Sequence, residues 1–140
     1  MRAAYIDAVL EVAEAIPAAR VLSYGDIAVL LDSGGPRQVG SVMSHHGSAV
    51  AWWRVIRASG EPPQCHEAHA LEHYRTERTP LRGKTTGADA RWRVDMAAAR
   101  WDPTDAELDV LDAIAARLRA AEGAEAKNDD DGPGRAVERA

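Results

Sequence analysis

One thiol, three spaced histidines and two adjacent tryptophans lie within residues 52–73, and each group implies a different chemistry. Cys65 is the sole cysteine. It forms no internal disulfide, and it would act as a nucleophile only beside a base or positive potential that makes the thiolate. It lies beyond a turn and Pro62-Pro63 from the tryptophans, which is where a bystander loop cysteine would sit. His66, His69 and His73 recur at spacings of three and four, which on a helix places them within about 60° of one another and would suit zinc. They fall opposite Leu71, so a solvated or phosphate-facing stripe is expected, with no metal and no cofactor. Trp52 and Trp53, in Ala51-Trp52-Trp53-Arg54-Val55-Ile56, offer flat surface for a base and no nucleophile. Each also has a plain reading as core.

Several elements must position these side chains. Ile6, Val9, Leu10, Ala13 and Ile16 recur at helical spacing, predicting a helix over 3–16 that Pro17 stops. Ser23 followed by Asp26 is an N-terminal capping pattern for a second helix, with Ile27, Leu30 and Leu31 as its buried stripe. Asp32-Ser33-Gly34-Gly35 breaks that helix, and Pro36 suits the first turn of a third over 36–46. There Val39, Val42, Met43 and His46 share the packing side. The opposite side presents Arg37, Gly40, Ser41 and Ser44, with His45 at its margin. A glycine inside a helix costs about 1 kcal/mol, so Gly40 implies a close approach, either of another helix or of nucleic acid. Helix, glycine-containing break and helix make a helix-turn-helix pattern.

Residues 50–57 read as a strand, which would send Trp52 and Trp53 to opposite faces. A helix over 66–78 would bury Ala68, Leu71 and Tyr74. Trp92, Val94 and Met96 alternate with Arg91, Arg93 and Asp95 as in a half-buried strand. Thr104 and Glu107 form a capping box before a last helix carrying Leu108, Leu111, Ile114, Ala115 and Leu118. From residue 121 the apolar period ends, and 121–140 is expected to be a disordered acidic tail.

The 140 residues suffice for one modest domain. No apolar run approaches the ~18 residues of a spanning helix, no secretory signal is visible, and one cysteine fits a reducing cytoplasm. Net charge is -5, yet residues 1–101 carry 12 Lys and Arg against 11 Asp and Glu, while 102–140 carry 5 against 11. The acidity is C-terminal, and phosphate binding upstream stays open.

Three motifs in order, Ser23-Tyr24-Gly25-Asp26-Ile27-Ala28, Pro36-Arg37-Gln38-Val39-Gly40 and Ala51-Trp52-Trp53-Arg54-Val55-Ile56, resemble the DNA-binding domain of O6-alkylguanine-DNA alkyltransferases over roughly residues 5–101. In the repair enzymes the third motif reads Pro-Cys-His-Arg, and its cysteine accepts the alkyl group. The resemblance is therefore to alkyltransferase-like proteins, in which tryptophan replaces that cysteine; here Trp53 also stands in place of the histidine. It implies that Tyr24 crowds the phosphate beside the target nucleotide. Arg37 would fill the vacated stack, and Gly40, Ser41 and Ser44 would lie on a recognition helix in the minor groove. Trp52, with Trp53 and Arg54, would form the alkylguanine pocket.

These readings converge on a mainly α winged helix-turn-helix-like domain with short β-strands over residues 1–120. The expected function is binding of O6-alkylguanine in duplex DNA by nucleotide flipping, without alkyl transfer. The chain would be a cytoplasmic monomer with no membrane partner that flags the lesion to nucleotide excision repair proteins. The rivals are a winged-helix DNA-binding or regulatory protein without lesion specificity, and an enzyme using Cys65 or a zinc site.

Overall fold

A computed structural model describes the backbone of residues 2–130 and the side chains through residue 126. The first half is three helices: α1 (Ala3–Ala15), α2 (Tyr24–Leu31) and α3 (Pro36–His46), with β1 (Leu22–Ser23) leading into α2. Their ends follow local chemistry. Ser23 Oγ accepts from the Asp26 N–H at 3.0 Å while Asp26 Oδ2 accepts from the Ser23 N–H at 2.9 Å, so two otherwise orphaned donors are satisfied. At α3, Pro36 opens the helix, and Gln38 Oε1 accepts from the Gly35 N–H at 2.9 Å. The break between them is held from α1: the Tyr5 hydroxyl donates to Ser33 O at 3.2 Å.

Two short 3-10 turns follow, Gly47–Ala49 and Trp52–Arg54, and then β2 (Val55–Ile56), which pairs in parallel with β1. The strand expected over 50–57 is thus reduced to two residues. Val-Ile-Trp composition favours extended backbone, but here Arg54 N–H turns back to Ala51 O at 3.0 Å. The reason is long-range: the Trp53 and Arg54 side chains are captured by Glu77, far along the chain.

Then come α4 (Glu67–Glu77), an antiparallel hairpin of β3 (Leu81–Lys84) and β4 (Arg91–Val94), the single turn α5 (Met96–Ala99), and α6 (Asp105–Asp130). The alternation expected through Met96 ends at Val94, where Asp95 caps α5. The hairpin is the wing of a winged helix-turn-helix, so the fold class is as expected. Gly60 lets it dock: its φ is +86°, and a Cβ there would lie 2.3 Å from Val94 O, while Val94 N–H donates to Gly60 O at 2.8 Å.

Two apolar clusters hold the parts together. The larger joins Val9 and Val12 of α1, and Ile16 just after it, to Ile27, Val39, Val42, Trp101 and the Leu111, Ile114 and Leu118 stripe of α6. Each such buried aliphatic side chain contributes about 1.5–3 kcal/mol. The smaller joins Val21, Ile56, Ala70, Tyr74 and Val94 under the wing, and Trp52 packs on both. Helix α4 buries Ala70 and Tyr74, whereas Leu71 is half-buried and Ala68 exposed. His46, expected on the packing side of α3, is exposed. The helix continues there only to His46 before the 3-10 turn redirects the chain.

Helix α6 corrects the boundary placed at residue 121, because it runs on to Asp130. Loss of apolar period is not loss of helix: Ala and Glu are strong helix formers, and Arg2 pairs with both Glu122 and Glu125. The remainder of the expected tail, 131–140, lies outside the described residues. No helix among those described is long and apolar enough to cross a membrane.

Candidate nucleic-acid interface

The exposed face of α3 continues into a cleft of about 490 Å³. Tyr24, at the first position of α2, forms one wall with Gly40, Met43 and Ser44 of α3. Trp52 and Val55 form the back. Arg57, Gln64, His66 and His69 close the other side, and no carboxylate lines it. Ser23 and the capping box fix where Tyr24 emerges, and burial raises its phenol pKa, an effect that the nearby Arg57 charge partly offsets. The group is therefore a neutral donor at physiological pH. Its hydroxyl has no hydrogen-bond partner among the described residues.

Gly40 resolves one of the two readings left open by sequence. A Cβ built there would meet only the Tyr24 ring, at 3.6 and 3.7 Å, which is ordinary contact. The protein's own packing does not demand glycine at this position. Arg37 is exposed on the first turn of α3, one turn before Gly40 and Ser41, and it makes no ion pair among the described residues. Ser41 is turned toward the helix surface, where its carbonyl lies 2.8 Å from His45 Nδ1. Tyr24, Gly40, Ser44 and Trp52 thus share one cleft, with Arg37 and Ser41 on the adjoining helix face.

Trp53 and Arg54 do not line that cleft, contrary to the expected alkylguanine pocket. Trp53 Nε1 donates to Glu77 Oε1 at 3.0 Å. Arg54 Nε reaches both Glu77 oxygens at 3.2 Å, its Nη1 donates to Ile16 O at 2.9 Å, and the Ala19 N–H donates to Glu77 at 3.1 Å. Burial would raise the Glu77 carboxyl, but hydrogen bonds from Arg54, Ala19 and Trp53, with the Arg54 charge, outweigh it and hold it below its ordinary value. The Tyr74 hydroxyl donates to Trp53 O at 2.7 Å. This is a polar clamp between α1, α4 and the 3-10 turn, and it fixes Trp52 from behind.

The histidines separate as well. His73 stacks on Trp53 with ring centroids 3.5 Å apart and planes 2° from parallel, and it meets Trp52 edge-on at 5.9 Å. His66 tilts against Trp52 at 5.6 Å, and His69 lines the cleft mouth. Among the described residues no three His, Cys, Asp or Glu side chains converge as metal ligands. Of the expected solvated stripe, His66 and His69 are exposed, while His73 is half-buried against the Trp53 indole. Cys65 is exposed and is not among the cleft residues. Arg57, Gln64 and the Pro63 segment were missed by sequence, because docking of α4 through Ala70 and Tyr74 brings them in and no local pattern marks it.

Residues 4–78 match the family described as the 6-O-methylguanine DNA methyltransferase DNA-binding domain. Among solved structures, S. pombe Atl1 in complex with damaged DNA containing O6-carboxymethylguanine superposes with a TM-score of 0.60 at 23% identity, covering 74% of this chain and 100% of that one. S. pombe ATL in complex with DNA gives 0.58 at 25% identity over the same shares. No curated protein matches the chain. With over half its length matched and tryptophan standing where the reactive cysteine would be, the chain belongs to the 6-O-methylguanine DNA methyltransferase DNA-binding-domain family as an alkyltransferase-like member.

Proposed function

We propose that this protein recognises O6-alkylguanine in duplex DNA by rotating the lesion nucleotide into the cleft beside Trp52, without transferring the alkyl group. One observation carries the reading: Tyr24, Gly40, Ser44 and Trp52 line a single cleft that contains no thiol. Relatives of the same fold are seen bound to DNA, one of them to O6-carboxymethylguanine.

Each residue has a physical part. Gly40 and Ser44 keep the α3 face low enough to enter a groove. Arg37 extends from that face as a cation with no ion pair among the described residues and occupies the space that the flipped nucleotide leaves. The neutral Tyr24 hydroxyl donates to the adjoining phosphate. Flipping costs a few kcal/mol, less where an O6-alkyl group has weakened the pair. Stacking on Trp52 returns about 1–3 kcal/mol. Alkyl transfer needs a thiolate; indole supplies none, and Cys65 lies outside the cleft. The bound monomer then marks the lesion for nucleotide excision repair, a role that rests on the resemblance of the three motifs.

The deciding experiment compares affinity for a duplex holding one O6-methylguanine with that for its unmodified twin at one stated salt concentration, followed by intact-mass measurement. Tighter binding to the lesion with no mass gain is expected. Equal affinities would favour a general winged-helix DNA binder, and a methyl adduct on the protein would show an enzyme.

A further inference from the structure

The wing carries a charge pattern that its own stability does not explain. In the β3–β4 register Arg82 faces Arg93 and Lys84 faces Arg91, while Leu81 faces Val94 and Gly83 faces Trp92. Directly opposed residues of an antiparallel pair point to the same face, and alternate pairs share that face. One face is therefore apolar, seated through Val94 on the smaller cluster and through Trp92 edge-on to Tyr74 at 5.9 Å. The other consists of four cations in two like-charge pairs, an arrangement that opposes pairing of the strands.

Local carboxylates neutralise only half of it. Arg82 Nε lies 3.5 Å from Asp95 and Lys84 Nζ lies 2.8 Å from Asp89. Arg91 and Arg93 are exposed and have no carboxylate within ion-pair distance among the described residues. Arg75 extends the same region, reaching Thr85 O with Nη2 at 3.3 Å. The wing also adjoins the recognition site: a groove that takes in Arg57, Gln64, Arg91 and Trp92, together with the carboxylates Glu61 and Glu67, shares Arg57 and Gln64 with the main cleft, and Glu61 already pairs with Arg57 at 3.7 Å.

We infer that the outer face of the wing, centred on Arg91 and Arg93, is a second DNA contact that binds the phosphate backbone flanking the flipped nucleotide. It lies beyond residues 4–78, the part that matches the family. The inference rests on the duplex-binding reading above but not on lesion specificity. A backbone contact carries no base information. The wing sets overall affinity and its salt dependence, and the cleft sets discrimination.

The test is the slope of log affinity against log salt for the full chain, on damaged and undamaged duplexes. Each neutralised phosphate contributes a slope of about -0.9. The Arg91→Gln/Arg93→Gln variant should therefore flatten the slope by about 1.8 and weaken binding by up to about 60-fold at ~0.1 M salt, converging with the parent toward ~1 M. Both duplexes should weaken alike, leaving the damaged-to-undamaged ratio unchanged, and the melting temperature should hold or rise. Arg91→Lys/Arg93→Lys should keep the parental slope. An unchanged slope in the Gln variant, or weaker binding at every salt concentration with the same slope, would overturn the inference. A parent protein that binds both duplexes equally would sink the lesion reading alone, since the slope on undamaged DNA still decides the wing.

Discussion

Replacing Gly40 with alanine separates the needs of the fold from those of the ligand. Glycine within a helix is less favourable than alanine by about 0.5–1 kcal/mol, because it surrenders more backbone freedom on folding. The new methyl would sit 3.6 Å from Tyr24 Cδ2 and 3.7 Å from Cε2, so no clash offsets that gain. The melting temperature should rise by about 2–5 °C for a domain of this size. The same methyl projects into the cleft, on the side of α3 proposed above to meet DNA. If a groove wall packs there, forcing a methyl into it costs about 1–3 kcal/mol, which is roughly 5- to 150-fold in affinity. Thermal denaturation and a fluorescence-anisotropy titration on one preparation measure both effects. A more stable variant that binds damaged duplex as tightly as the parent would refute the close approach. A less stable variant would show that helix packing, and not a ligand, had selected the glycine.

Three further substitutions test the division of labour around the cleft. Arg37→Ala should leave stability within about 0.5 kcal/mol, as for other exposed positions, and should abolish most of the preference for damaged duplex; a preserved preference in competition binding would make Arg37 a bystander. Trp53→Phe keeps the stack on His73 but loses the donor to Glu77, so urea unfolding should show a loss of about 1–2 kcal/mol with lesion discrimination intact; a collapse of discrimination would return Trp53 to the pocket. Glu77→Gln removes the charge facing Arg54, whose side chain and that of Glu77 are only 18% and 11% exposed, and should cost about 2–3 kcal/mol at neutral pH. Because the folded-state carboxyl lies below its ordinary 4.5, its contribution is fully present above pH 4.5 and is lost as pH falls through the folded value. The Gln variant should therefore lack that part of the parent's acid destabilisation, and identical acid limbs in the two proteins would refute the linkage.

The helix-turn-helix was legible because its signals are local. Ser23 with Asp26 satisfies a helix N-terminus within four residues, Pro36 marks the first turn of the next helix, and an apolar period identifies α1 without reference to the rest of the chain. Trp52–Arg54 was misread because no local rule decides it: Val, Ile and Trp favour a strand, and the contact that bends them comes from Glu77, 23 residues beyond Arg54. The wing's β3 carries a single apolar residue and depends on Gly83, where φ is +93° and a Cβ would lie 2.2 Å from Arg91 O. Its strand character comes from its partner, not from its own sequence. Helix α6 failed in the other direction, since an ended apolar stripe was taken for an ended helix.

The two tryptophans illustrate how adjacent, identical residues acquire unlike roles. Their rings meet at 88° with centroids 5.7 Å apart, so one cannot be rotated without displacing the other. Trp53 is anchored on its far side by the His73 stack, the Glu77 hydrogen bond and the Arg54 guanidinium 5.6 Å from its ring centroid. Trp52 meets the cleft with that anchored ring at its edge. In the repair enzymes that the third motif resembles, the corresponding pair is a nucleophile and its activating histidine. Here the second position donates a hydrogen bond to a carboxylate already engaged by Arg54 and has no lone pair with which to take a proton. The substitution at 53 thus does more than delete a base: it makes this position structural support for the Trp52 ring that lines the cleft. On the proposed reading, a rigid stacking surface suits recognition because preorganisation lowers the cost of binding, and Trp53 supplies that rigidity to Trp52.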